Sequence, residues 1–269
     1  MTMLTSGAKS PVSDEYTRFC EGFRAVAKVD LLQYKRGQME RRVRSFAERR
    51  GFTDLTAYGV KLKRDPAEVD AFLDRVTINV SQLWRNPEQW AILSKKILPE
   101  LAEGGRVRIW SAGSSYGAEA YTLAAISRAA IPAARTEIRG TDIDPRMVER
   151  AQRGNFSADD GRDAPKAELR RWFDEQEDGT WQAKRELRSM TRFEVGDLLR
   201  VKPRPESYDL VLCRNTVIYF NEEVRDDLHA RLVDSIRPGG YFVIGATERV
   251  ANARSLGLTP THPFTYRKS

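Results

Sequence analysis

Residues 109–122 read IWSAGSSYGAEAYT. An apolar, strand-like start runs into a turn carrying Gly113 and Gly117, and a helix-like run follows. Strand, glycine turn and helix is the local grammar with which α/β proteins bring backbone close to a nucleotide-like ligand. The glycines are spaced G-x-x-x-G, which is not the dinucleotide fingerprint, and no Lys-Ser or Lys-Thr pair follows as in a phosphate loop. A phosphate would call for basic donors here. The turn offers instead the carboxylate of Glu119.

The same grammar continues downstream. From residue 106 the strand-like segments VRIWSA, EIRGTDID, TRFEVGD, YDLVLCRN, GYFVIG and FTYRK are interleaved with helical runs over 117–130, 145–153 and 222–236. Such alternation predicts a mostly parallel sheet covered on both faces. Asn221 ahead of Glu222 and Glu223 predicts an N-cap with acids in the first turn. Val224, Leu228, Leu232 and Ile236 would be that helix's buried stripe, and Pro238-Gly239-Gly240 its stop before the next strand. Residues 154–192 break the alternation. They are polar and charged, and Asp178-Gly179 beside Trp181 predicts a short hairpin after a helix over 165–173.

Upstream, residues 14–103 show helical periodicity. Met39, Val43, Phe46 and Ala47 form one stripe, with Gly51 as a stop signal. Pro66 opens a second, with Val69, Phe72, Leu73 and Val76, and Pro87 a third, with Trp90, Leu93, Ile97 and Leu98. This half reads as a small helical bundle.

In open α/β sheets ligands bind beyond the carboxyl ends of the strands. The residues there are Gly113, Gly117 and Glu119, then Asp142 and Asp144, then Asp197, then Arg214 and Asn215. Asp142 follows Gly117 by 25 residues, near the spacing at which an acid accepts hydrogen bonds from a ribose. Asp197 is placed to accept from an adenine amino group, with Leu198 against the ring. Glu119 suits a ligand with a cationic end. S-adenosylmethionine, with its ammonium, sulfonium, ribose and adenine, fits this set, and Arg85 would pair with its carboxylate. Each residue also has a plainer reading: turn glycines, helix caps at Asp142 and Asp144, a turn at Asp197, ordinary loop polarity at Arg214 and Asn215. Their co-location after four strands favours a site.

The chain has 269 residues, 31% of them charged, and a formal net charge of +7, which favours an acidic partner. Cys20, Cys213, His229 and His262 are too few and too scattered for a metal or redox motif. No apolar run approaches the ~20 residues of a membrane span, and residues 1–14 lack a hydrophobic signal region. A cytoplasmic protein without membrane insertion is expected. No recognition-helix pattern in 14–103 suggests DNA binding, and no Asn-Pro-Pro-Tyr-type motif follows the fourth strand.

The stretches 77–85 (TINVSQLWR), 109–122, 141–144 (TDID), 195–199 (VGDLL), 212–220 (LCRNTVIYF) and 245–248 (GATE) together resemble the chemotaxis receptor glutamate O-methyltransferases. The resemblance spans nearly the whole chain. It implies an α/β fold: a Rossmann-like S-adenosylmethionine-dependent methyltransferase domain over 89–269, a small all-helical domain over 1–88, and a small β-subdomain inserted at 154–194. It implies methyl transfer to glutamates on the cytoplasmic methylation helices of chemotaxis receptors, with S-adenosylhomocysteine as product, by a monomer that binds no nucleic acid and no metal. By the same resemblance Asn79, Ser81 and Arg85 would close over the methionine end of the cofactor. Glu119 would contact it, Asp142 would hold the ribose, and Asp197 and Leu198 would flank the adenine. Arg214 and Asn215 would line the pocket, and Tyr219 would lie near the transferred methyl, which makes Arg85 and Tyr219 the catalytic candidates.

The family's serine-threonine-glycine-glutamate-glutamate-proline-tyrosine stands here as Ser115-Tyr116-Gly117-Ala118-Glu119-Ala120-Tyr121. Tyr116 is expected to narrow the cofactor site or stack on the ligand. The tract KRGQMERRVRSFAERR (35–50) holds seven basic residues against two acidic. Its Arg42 and Arg49 are expected to dock the acidic receptor helix, the plainer reading being a solvated basic face. The hairpin segment EQEDGTWQ carries one glycine and is shorter than in relatives that bind a receptor pentapeptide, so recognition without that tether is expected. The competing readings are a non-enzymatic S-adenosylmethionine-binding signalling module and a methyltransferase for another acidic substrate.

Overall fold

The computed structural model describes residues 14–76 and 81–269, in two compact units that divide after Ile78. In the first, four helices follow one another: α1 (Glu15–Ala27), α2 (Arg36–Arg49), α3 (Leu55–Arg64) and α4 (Pro66–Val76). Asp14 and Asp54 cap α1 and α3 by accepting from the amides of Thr17 and Ala57, satisfying donors that have no partner within the helix. The predicted stripe Met39, Val43, Phe46 and Ala47 is buried. Phe46 joins Phe19, Phe23, Tyr58 and Phe72 in an aromatic core with ring centroids 4.8–6.2 Å apart.

The second unit opens with α5 (Pro87–Ile92) and α6 (Leu98–Leu101), joined by a π-helical stretch over Leu93–Ile97. The alternating part comprises β1 (Arg106–Ala112), α7 (Ala118–Ala130), β2 (Arg135–Asp142) and α8 (Pro145–Arg153). An insert follows, with β3 (Asn155–Phe156), α9 (Lys166–Trp172), β4 (Phe173–Glu175), β5 (Trp181–Ala183) and α10 (Arg185–Met190). The chain ends with β6 (Thr191–Val195), β7 (Tyr208–Cys213), α11 (Glu222–Asp234), β8 (Ile236–Ile244), β9 (Leu258–His262) and β10 (Thr265–Lys268). The main sheet has the order β6-β2-β1-β7-β8-β10-β9. The first five strands in that order are parallel, and β10 runs antiparallel to both its neighbours. The insert's strands form a separate sheet, β3-β5-β4.

Four details differ from expectation. The units divide at 78/79 rather than 88/89, because Leu83 and Trp84 share the buried core of Trp90, Leu93 and Ile97. The insert closes before Thr191, where β6 rejoins the main sheet beside Ile138. Asn221 occupies the N-cap of α11, but its side chain makes no capping hydrogen bond there. Pro238-Gly239-Gly240 lies inside β8, where the pairing with β7 shifts register, rather than ahead of the strand. At Gly240 a Cβ would sit 2.7 Å from the Asp209 carbonyl, so close backbone approach keeps the glycine there. Each unit carries one cysteine, Cys20 and Cys213, and both are buried free thiols.

Candidate functional site

The loop after β1 depends on its glycines. Gly113 has φ +79°, and a Cβ there would lie 2.5 Å from Oγ1 of Thr216. Gly117 has φ +88°, and its Cβ would meet Ala151 and Phe193 at 3.0 Å. The amides of Gly113 and Ser114 both donate to the carbonyl of Thr141, at 2.9 and 3.0 Å, which ties the loop to the end of β2. Asp142 completes the tie. Its Oδ2 accepts from the Ser115 amide at 2.7 Å, and its Oδ1 from the Asp144 amide at 3.0 Å. Ser115 has φ +47°, a backbone uncommon for a residue other than glycine. Burial raises the Asp142 carboxyl above its usual range, with the two amide bonds opposing. Asp144 is a helix cap, as in its plainer reading: it accepts from the amide of Arg146 and pairs with that arginine's guanidinium at 2.8 Å.

Glu119 and Arg214 meet across the strand ends. Arg214 Nη1 donates to Glu119 Oε2 at 3.2 Å, with side-chain exposures of 3% and 12%. The other Glu119 oxygen accepts from Ser111 Oγ at 2.7 Å. Arg214 Nη2 donates to the carbonyl of Arg85 at 3.0 Å and to Asn86 Oδ1 at 3.1 Å. Its guanidinium lies 4.8 Å from the Trp90 ring centroid, and its buried Nε has no partner. Burial pulls the Arg214 pKa below its ordinary value, opposed by Glu119. Glu119 therefore already faces a cation, and a ligand ammonium would share it with Arg214.

Arg85 is half-buried, between two residues with left-handed backbone, Trp84 at φ 56° and Asn86 at φ 60°. Its carbonyl also accepts from Trp90 Nε1 at 2.7 Å. Ser81 lends its carbonyl to the hydroxyl of Tyr116. Tyr116 itself is 3% exposed and packed against Phe156 and Arg150. Its ring is thus packed between Arg150 of α8 and Phe156 of the insert, and it does not stand free to stack on a ligand. Asn79 lies outside the described residues.

Asp197 caps the turn after β6, accepting from the Leu199 amide at 2.9 Å and pairing with Arg200 at 3.3 Å, while Leu198 is buried beside it. Asn215 has φ +58° and donates its amide to Glu248 Oε2 at 3.1 Å. The same oxygen takes the Gly245 amide at 2.6 Å, and burial raises the Glu248 carboxyl. Tyr219 is half-buried in the short 3₁₀ turn Val217–Tyr219. Glu248 ties the ends of β7 and β8 together. It stood in the GATE stretch without a role, and its only signal was an acid placed just after a strand.

A cleft of about 760 Å³ opens at the other ends of the strands, lined by Arg108, Arg128, Arg139, Arg192, Tyr208 and neighbours. It touches none of the residues above. The carboxyl-end cluster carries the crowded glycines, the buried acid on the loop backbone and an orphaned Arg214 Nε. A nucleoside-bearing cofactor with a charged end fits that donor set. In the first unit Arg42 and Arg49 line, with Arg41, Ser45 and Arg75, a cleft of about 380 Å³. Arg49 also donates to Ser45 Oγ at 2.9 Å.

Two comparisons identify the class. Residues 79–262 match the model of the CheR methyltransferase S-adenosylmethionine-binding domain. The protein is an S-adenosylmethionine-dependent methyltransferase. Residues 14–77 match the CheR all-alpha domain, and the chain belongs to the CheR methyltransferase family. A chemotaxis protein methyltransferase of Listeria innocua is 33% identical over 257 residues, covering 95% of this chain and 97% of the relative. Chemotaxis protein methyltransferase 1 of Pseudomonas aeruginosa is 34% identical over 190 residues, covering 67% of this chain and 69% of the relative.

Proposed function

We propose that the protein acts in the cytoplasm, as a monomer, to methylate glutamate side chains of chemotaxis receptors, giving methyl esters. The observation that carries this is the character of the strand-end cluster. Its charged groups, Glu119, Arg214, Asp142 and Glu248, hold each other or the backbone. His229 packs against Phe242 instead, and His262 is on β9. A receptor glutamate with a pKa of about 4.3 is already ionised at neutral pH, so the reaction needs no general base. When bound, S-adenosylmethionine would supply an electrophilic methyl for the carboxylate oxygen, with S-adenosylhomocysteine as the leaving group.

The protein's part is then to position and to exclude water. In this reading Asp142 holds the ribose, Asp197 and Leu198 flank the adenine, and Arg214 and Asn215 line the pocket. Asn79, Ser81 and Arg85 cover the methionine end, and Tyr219 fixes the sulfonium. Arg85 orients a carboxylate. Arg85→Ala should lower kcat at least tenfold (~10²-fold is the scale for a misplaced reactant) while leaving the melting transition in place. Near-normal turnover by the folded variant would remove Arg85 from this role.

The acidic substrate is supported by the arginine-lined cleft of Arg41, Arg42, Arg49 and Arg75. Reversing Arg42 and Arg49 to Glu should raise KM for receptor and leave KM for the cofactor unchanged; an equal rise in both would point to misfolding. Recognition without a tether is supported by the hairpin's arms, Phe173–Glu175 and Trp181–Ala183, only three residues each. Micromolar binding of a receptor-tail pentapeptide in calorimetry would refute it. Label that leaves as methanol in mild base marks an ester, whereas base-stable label would favour another acceptor. Binding without turnover would favour the signalling-module reading.

A further inference from the structure

Tyr116 stands between Ser115, whose amide is held by Asp142, and Gly117. The guanidinium of Arg150 lies 3.9 Å from its ring centroid, and the ring of Phe156 tilts against it at 6.3 Å. Its hydroxyl faces two acceptors on two other segments, Asp160 Oδ1 at 2.9 Å and the backbone carbonyl of Ser81. Neither acceptor has a proton to give in return, so the one hydroxyl proton serves both. Burial, with Asp160 adding to it, raises the phenol's pKa, which keeps that proton in place at neutral pH.

Asp160 belongs to the first turn of the insert, and it grips the same segment twice. Its carboxylate reaches Ser81 through the tyrosine, and its carbonyl accepts directly from the Leu83 amide at 2.9 Å. Its other carboxylate oxygen is held by Arg150 and by the Ser157 amide at 2.7 Å. The segment so held runs on through Trp84, Arg85 and Asn86. It is left-handed on both sides of Arg85, a backbone that non-glycine residues keep only where the surroundings impose it. Its far end holds Arg214 through the Arg85 carbonyl and Asn86, and Arg214 holds Glu119.

We propose that Tyr116 is a positioning residue for the cofactor site: through Asp160 and Ser81 it lets the insert clamp segment 81–86 against the glycine loop and so set the Arg214–Glu119 pair. The proposal rests on the reading that this pair faces the cofactor. It gives the insert work inside its own unit, independent of any receptor tail. Tyr116→Phe removes the hydroxyl and keeps the ring between Arg150 and Phe156.

Hydrogen exchange and calorimetry on the full chain test this. In ligand-free Tyr116→Phe, exchange over 81–86 should quicken about tenfold, and Kd for S-adenosylhomocysteine should rise by about the same factor, the scale of one lost hydrogen bond to part-buried acceptors. Exchange over the helices of the first unit should not change. Asp160→Asn, which keeps an acceptor oxygen for the hydroxyl, should weaken binding less than Asp160→Ala, and this pair decides the matter if Tyr116→Phe fails to fold. Exchange and Kd both within about twofold of wild type would overturn the clamp. Quicker exchange with an unchanged Kd would overturn its positioning role. Failure of the underlying reading has a separate signature: in the wild-type protein, S-adenosylhomocysteine would then protect neither 81–86 nor 113–119.

Discussion

Strand β1 has a glycine at each end, and the two ends differ in kind. Gly105 precedes it with φ +72° and Gly113 follows it with φ +79°. A Cβ on Gly105 would meet nothing within 4 Å, whereas one on Gly113 would strike Thr216 at 2.5 Å. The ion pairs differ in the same way. At the start of the strand Arg106 pairs with Glu137 at 2.7 Å, both well exposed at 52% and 40%. At its end the Arg214–Glu119 pair is 3% and 12% exposed. A cleft of about 760 Å³ lies at the amino ends, yet around β1 the crowded glycine and the buried ion pair lie at the carboxyl end. Cost tolerated by a fold is a better guide to a site than volume is.

The largest expected effect breaks the buried pair. Arg214→Met leaves Glu119 in a dry site without its cation, and should cost roughly 3–5 kcal/mol in a denaturant titration. A loss below ~1 kcal/mol would mean that water reaches Glu119 freely. Next is Gly113→Ala, which must push Thr216 aside and hold alanine at positive φ. It should destabilise by roughly 2–3 kcal/mol and weaken S-adenosylhomocysteine binding by at least tenfold in calorimetry. A third effect comes from neither end. His229 on α11 is buried against Phe242, and burial lowers its pKa from 6.5 to about 4. The unfolded chain then binds the proton that the folded chain refuses, so stability is full above pH 6.5 and falls as pH drops toward 4. By pH 5 the loss relative to pH 8 should be about 2 kcal/mol (roughly 1.36 kcal/mol per unit), and His229→Leu should flatten that part of the melting-temperature profile. The smallest effects belong to the amino end. Gly105→Ala should cost about 1 kcal/mol for its backbone alone, and Arg106→Ala about 0.5 kcal/mol or less. If either matched its counterpart at the other end, the contrast would collapse.

Much of this was legible from local pattern. The alternation of periods gave the parallel sheet, and residues just after strands gave Gly113, Asp142 and Arg214, which gather around the glycine loop, whereas Asp197 caps a turn of its own, as in its plainer reading. What escaped was carried by contacts distant in sequence. Nothing near Tyr116 indicates that its ring would be covered by Phe156 and Arg150. Nothing near Glu119 announces Arg214, 95 residues away. Strand β9 was missed because LTPTH is polar and holds Pro260, which is tolerated at the sheet's edge. The domain boundary came ten residues late because Trp84 and Leu83, which read as a continuation of the helical half, pack with the helix that follows them.

The two buried cysteines give the molecule a built-in pair of clocks. Cys20 lies in the aromatic bundle and Cys213 at the end of β7, and burial raises both thiols, Cys20 to about 11. A thiol so placed reacts with a soluble disulfide reagent only when its own unit opens. The two labelling rates, separated by peptide mapping, therefore report the opening of each unit in one sample, with no engineered probe. Cofactor should slow the Cys213 clock, and any slowing of the Cys20 clock would measure how strongly the helical unit is coupled to a filled site.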